Sequence, residues 1–306
     1  MSGRAPTPPD LPSAFWPRPR PAAFFVGLLV WIALSLAASV LLAPLVYPLV
    51  EGLAPGRFHF RRVTRRLAQL VALALAIVGL RRLGVRRFAE AGLAWSSGRA
   101  RQLAQAAGLG FAIVALPILA EFALGARRPA AGIGGAALAG ILASSAIVAL
   151  LEEGFCRGVL IFPFGRLRGL ALASAAALNS ALFASAHFVR GGMRGSAVDL
   201  AAAWQIWVAV PRAVVEYREA WLGLFVVSLA LYLYAWRQEH AWGAIGAHFG
   251  AVVALQIAGR VGDVAPEAEP LFFVDGLLPG YGMAALLGVA ILVGWGLALR
   301  RAPARR

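Results

Sequence analysis

The chain has 306 residues, of which 60% are hydrophobic and only 14% charged, and its mean hydropathy is +0.76. A soluble domain carries about 45–50% apolar and about 25% charged residues, so too few polar side chains remain here to coat a water-facing surface. That composition excludes a soluble globule and points to a polytopic helical membrane protein. The formal net charge is +15, and every basic residue is arginine. A nucleic-acid binder gathers its cations on a soluble surface. These arginines lie in short connectors between apolar runs, where membrane proteins keep them, so nucleic acid is not an expected partner. The single cysteine, Cys156, allows no internal disulfide and no thiolate metal cluster.

Taken in chain order, Met1 to Pro21 is rich in proline and reads as a disordered or extended tail. Phe24–Val50 is long enough to cross a bilayer with tilt, and far longer than the apolar core of about 7–15 residues in a cleaved secretory signal. Pro44 and Pro48 are expected to loosen its far end. After Arg57, Arg61, Arg62, Arg65 and Arg66 comes Leu67–Leu80, short for a full crossing unless the flanking arginines snorkel. Arg81 to Arg101 reads as a polar loop or interfacial segment. Leu103–Leu124 is the next span, with Glu121 near its end.

Gly132 to Phe164 is almost continuously apolar, broken by Glu152, Glu153 and Arg157. As one helix it would be about 50 Å long against a hydrocarbon core of about 30 Å, so it must tilt, kink or leave the membrane. Gly169–Phe188 follows. Leu200–Val210 is too short alone, and Pro211 to Glu219 is polar. Trp221–Trp236 spans with tryptophan anchors at both ends. Ala241–Ala258 is another span. Val261 to Gly280 is a Pro/Gly/acidic loop, and Met283–Leu299 precedes an arginine-rich tail. The expected fold is all-α, a multi-pass integral membrane bundle of about eight transmembrane helices, with both termini on the cytoplasmic side.

Ionisable groups inside apolar spans are expensive and mark function by default. Three clusters qualify: Glu152-Glu153 with Arg157, then Phe183 with His187, then His248. On an α-helix Glu153 and Arg157 lie about 40° apart and can pair, whereas Glu152 lies about 140° from Arg157. Glu153 is therefore expected to be neutralised by Arg157, leaving Glu152 to face a cavity as a general base. The competing reading is that both glutamates bracket a helix end at the headgroups. His187 and His248, on separate spans, can orient water, donate to an oxyanion or bind metal. With one carboxylate they can form an open three-ligand zinc site, Glu152, His187 and His248, or they can activate water without metal. Phe183, one turn before His187, reads as packing support. Asn179 and Ser180 read as hydrogen-bonding groups between helices. Glu121 reads as an interfacial residue in preference to a buried partner for arginine, Glu239 and His240 as solvated or headgroup-level residues of a connector, and Cys156 as a packing residue.

These clusters, in this order, resemble the CPBP family of intramembrane proteases, which includes the CAAX prenyl endopeptidases and the Abi-type bacteriocin-processing proteins. Its EExxxR motif is matched by Glu152, Glu153 and Arg157, and its FxxxH motif by Phe183 and His187. Its HxxxN or HxxxD motif is matched only at His248, because Val252 stands at the last position. The resemblance covers Gly132 to Ala258. It implies a catalytic core over 131–260, between N-terminal transmembrane helices at 22–130 and a loop, last helix and tail at 261–306.

The activity implied is that of a membrane-embedded metalloendopeptidase cutting a membrane-associated protein or peptide. Glu152 and His187 would activate water, and His248 would stabilise the oxyanion. At Val252 three alternatives stand: His248 suffices, Gln256 reaches in, or catalysis is weak or absent. Two other functions compete, a non-catalytic family member acting as a peptide- or partner-binding scaffold, and a proton-coupled transporter using Glu121, Glu152 and the histidines as a relay. Neither a discontinuous helix pair nor an internal repeat is evident, which counts against the transporter.

Overall fold

The structure, a computed structural model, describes residues 21–56, 58–82, 92–130, 132–159, 169–189, 198–238, 240–265, 272–274 and 278–301, with backbone alone at 21–25, 159, 169–171 and 292–301. The described part is an all-α bundle. Its elements are α1 (Pro21–Leu53), α2 (Phe60–Arg82), α3 (Ser97–Ala123), β1 (Arg127–Pro129), α4 (Gly135–Glu153) and a π-helical segment (Gly154–Val159). These are followed by α5 (Gly169–Ala186), α6 (Leu200–Glu216), α7 (Arg218–Gln238), α8 (Trp242–Val261), β2 (Gly262–Val264), β3 (Phe273–Val274), β4 (Leu278–Pro279) and α9 (Tyr281–Arg301). Six of them, α1, α2, α3, α4 with its π-helical continuation, α7 and α8, are long and apolar enough to cross a membrane. Many of their large aliphatic side chains are exposed, among them Leu45, Leu116 and Ile147, as expected of side chains whose solvent is lipid. The chain is a multi-pass membrane protein.

Several boundaries differ from the sequence expectation. The proline-rich tail lies outside the described residues except for Pro21, which opens α1. That helix continues past Pro44 and Pro48 to Leu53 rather than loosening. α2 starts at Phe60 and takes Arg61, Arg62, Arg65 and Arg66 into its first two turns, giving 23 residues instead of a short apolar run. Arginine is a good helix former, and its long stem lets the head leave the apolar zone. The same extension occurs in α6, which runs through Pro211 to Glu216. Its N-terminus is capped by Asp199, whose side chain accepts from the Ala202 amide at 2.7 Å.

The core that carries the site is built around α3 and α8, which make the most extensive helix pairing of the described fold. Gly246 and Gly250 form a small-xxx-small stripe on α8. A Cβ on Gly246 would collide with the Leu103 carbonyl, one on Gly250 with the Ala107 carbonyl, and one on Gly110 of α3 with the Ala247 carbonyl. Backbones this close gain dispersion contacts that lipid cannot supply. The two helices run in the same direction, and β1 and β2 join their ends as an antiparallel pair, Arg127 opposite Val264. There Arg127 pairs with Glu121 at 3.1 Å and donates to the Gly262 carbonyl. Glu121 is thus a buried partner of arginine, the less favoured of the two sequence readings. The expected loop after α8 is partly structured as well. Phe273 of β3 is buried against Val114, Ile118, Ala258 and Met283.

Candidate functional site

The long apolar run containing the two glutamates is resolved at Gly154, where α-helical winding gives way to the π-helical segment. A π turn widens the helix and re-aims the side chains around it, and such turns recur at functional sites. Asn179 of α5 donates to the Cys156 carbonyl at 3.3 Å, tying α5 to this irregular backbone. Trp31 of α1 stacks on Phe155 from the other side, with centroids 5.2 Å apart.

Two tiers of polar side chains result. The inner tier is buried. Arg157 and Glu153 are both fully inaccessible and meet at 3.1 Å through Nε and Oε2, and Arg157 Nη1 donates to Glu153 Oε1. Arg157 Nη2 donates to the Ser228 carbonyl at 2.8 Å and to its Oγ at 2.7 Å. His248 Nδ1 lies 2.7 Å from Glu153 Oε1, and a carboxylate accepts, so Nδ1 carries the proton. One glutamate therefore serves an arginine from its own helix and a histidine from α8.

Outside this network lies the more open pair. Glu152 Oε2 and His187 Nε2 are 3.8 Å apart, with about a quarter and nearly a third of their side chains accessible (25% and 30%). His187 Nδ1 lies 2.9 Å from the Phe183 carbonyl. A carbonyl only accepts, so Nδ1 is the protonated nitrogen and Nε2 offers its lone pair on the Glu152 side. Phe183 joins the tiers: its ring centroid is 4.8 Å from that of His187 and 5.9 Å from that of His248. The Arg157 guanidinium carbon lies 4.7 Å from the same ring.

The structure thus brings together Glu152, Glu153, Arg157, Phe183, His187 and His248 from α4, the π-helical segment, α5 and α8. His248 presents Nδ1 to Glu153 in the inner tier, while Glu152 and His187 form the open pair. Among the described residues no three His, Cys, Asp or Glu side chains are grouped to hold a metal ion. Gln256 is also committed elsewhere. Its Nε2 donates to Ser145 Oγ at 2.9 Å and its Oε1 accepts from Ser144 at 3.3 Å, so it fastens α8 to α4 instead of reaching the site. His240 is buried, not solvated, and Glu239 lies outside the described residues. Ser228 was not legible as a partner of Arg157, since one serine in an apolar span carries no distinguishing signal.

The motif residues and the fold around them fall within one family match. Residues 134–254 match the family model of type II CAAX prenyl endopeptidases, Rce1-like. The match supports assigning this segment to the CPBP and CAAX protease family. The match covers under half of the chain but includes all six residues of the two tiers, and α1, α2, α3 and α9 lie outside it or nearly so. No curated protein and no solved structure matches the chain.

Proposed function

We propose that the chain is an intramembrane endopeptidase that hydrolyses a peptide bond of a membrane-associated protein or peptide, with Glu152 as general base. The observation that carries this reading is the approach of Glu152 on α4 and His187 in the turn after α5, beside a buried network that neutralises the other glutamate. A separation of 3.8 Å is too long for a direct hydrogen bond and suits a water held between the two groups. Glu152 takes a proton from that water while His187 Nε2 orients it, and the oxygen attacks the scissile carbonyl carbon. Glu152 then delivers the proton to the leaving amine as the C–N bond breaks. His248, in its imidazolium form, keeps Nδ1–H on Glu153 and has Nε2–H to donate to the oxyanion.

α5 and α9 complete eight crossing helices in this reading, around a core at 131–260, and the cell membrane is the site of action. The family match favours a substrate with a CAAX-type prenylated end. Replacing Glu152 by Gln in the purified full-length protein tests the assignment on a farnesylated CAAX-type peptide, which the unsubstituted protein is expected to cleave. Undiminished cleavage by Glu152→Gln removes Glu152 from the mechanism.

A second reading is favoured by Val252 alone. Without a donor at that position the chain would bind peptides or partner membrane proteins without cutting them. Retained peptide binding with no cleavage, in both the unsubstituted protein and Val252→Asn, would establish it.

A further inference from the structure

Four arginines crowd the start of α2, and they are not equivalent. Arg61, Arg62 and Arg66 are exposed, while Arg65 is half-buried. α2 packs against the π-helical segment, and Arg65 lies within electrostatic reach of Glu152, which attracts it, while Arg66, Arg61 and Arg62 repel it. Its Nε is buried and has no hydrogen-bond partner among the described residues, and the same holds for Glu152 Oε2. Opposite charges within electrostatic reach, each with a buried polar atom not bonded to the other, suit a third polar group that contacts both.

The reaction is also short of oxyanion donors. Val252 carries only an alkyl chain, Gln256 is held by Ser144 and Ser145, and His248 has one nitrogen committed to Glu153. We propose that Arg65 is a catalytic residue that donates to the oxyanion, taking the part of the amide that Val252 lacks. This inference rests on the hydrolytic reading of Glu152. As the water oxygen bonds to the carbonyl carbon, the C=O electron pair moves onto oxygen and Arg65 N–H groups hydrogen-bond to it without transferring a proton. When the pair returns, the C–N bond breaks and the amine leaves with the proton held by Glu152. A guanidinium suits this task because it stays charged and presents several donors in a fixed plane.

The test uses full-length protein in liposomes, a farnesylated CAAX-type peptide, and a phosphonate analogue with a tetrahedral anionic phosphorus at the scissile position. Arg65→Gln should lower kcat by about 10²–10³, the usual loss for one oxyanion donor, with KM nearly unchanged. Arg65→Lys should recover part of the loss. Val252→Asn should accelerate Arg65→Gln by a larger factor than it accelerates the unsubstituted protein. In a Glu152→Gln background, Arg65→Gln should weaken phosphonate binding at least tenfold and leave binding of the parent peptide unaltered.

An equal phosphonate affinity, or a kcat within about threefold of the unsubstituted protein, overturns the proposal, since one lost oxyanion donor costs far more. A rise in KM alone also overturns it, because Arg65 would then bind only the ground state. If Arg65→Gln does not reach the membrane, Arg65→Lys carries the same phosphonate comparison. Failure of the Glu152 reading looks different, since Glu152→Gln would then cleave at the full rate. No phosphonate binding by the unsubstituted protein overturns both.

Discussion

Glu153 Oε1 accepts from His248 at 2.7 Å while its carboxylate also meets Arg157 at 3.1 Å, so two adjacent glutamates hold separate offices. Glu153 organises the interior, and Glu152 is left to the open side with His187. Their substitutions should therefore fail in different ways. Glu153→Ala strands Arg157 without its carboxylate in a buried position, a change that costs about 3–5 kcal/mol. It should lower the thermal midpoint sharply and lose folded protein. Glu152→Gln should leave the midpoint nearly unchanged and abolish peptide cleavage. Thermal unfolding and peptide cleavage measured on both variants separate the two roles, and equal destabilisation of both would contradict the division.

The seating of His248 depends on the close approach of α8 to α3. His248 lies between Gly246 and Gly250, and both glycines face α3 backbone with no space for a methyl group. Gly250→Leu should force the helices apart, lower the thermal midpoint by several degrees, and reduce turnover by displacing His248 from Glu153. Gly288 of α9, where an added Cβ meets nothing within 4 Å, supplies the control: Gly288→Ala should leave both quantities unchanged. A Gly250→Leu protein as stable and active as the control would show that the close approach does not matter.

Much of this arrangement was legible beforehand because a charge in an apolar span has few places to go. The i to i+4 spacing of Glu153 and Arg157 announced their pairing, and the angular offset of Glu152 separated it from them. What the spacing could not supply was long-range partnership. His248 chose Glu153 over Glu152, 95 residues away. The sequence also concealed the π-helical turn at Gly154, which breaks the 3.6-residue period on which angular arguments rest. The preference for an interfacial Glu121 over a buried arginine partner failed for the same kind of reason. The partner, Arg127, follows a turn, and only the β1–β2 pairing holds that arginine over the helix end.

Metal dependence gives a second test of the division between the two tiers. The donors on the open side are one carboxylate and one imidazole, and no third His, Cys, Asp or Glu joins them among the described residues. A catalytic zinc site takes three protein ligands. Peptide cleavage by the purified protein should therefore survive prolonged treatment with a strong chelator, and zinc content should be substoichiometric by mass spectrometry. Loss of activity on chelation, restored by zinc alone, would mean that His248 joins Glu152 and His187 through Nε2 while Nδ1 stays on Glu153.

The last expectation concerns His240, in the connector between α7 and α8. Its ring is buried, and both nitrogens lack a hydrogen-bond partner among the described residues. Burial, and after it the charge of Arg99 at the start of α3, together push its pKa down from 6.5 to about 4. The folded protein thus holds the ring neutral, while the unfolded chain binds a proton once the pH drops below about 6.5. The stabilisation is complete above that value and is lost as the pH falls towards 4. The thermal midpoint should consequently decline across this window in the unsubstituted protein, beyond any decline caused by carboxylates. His240→Phe, which keeps a buried aromatic ring without the titrating nitrogens, should flatten that part of the profile. Parallel profiles for the two proteins between pH 6.5 and 4 would mean that His240 takes up its proton without disturbing the fold.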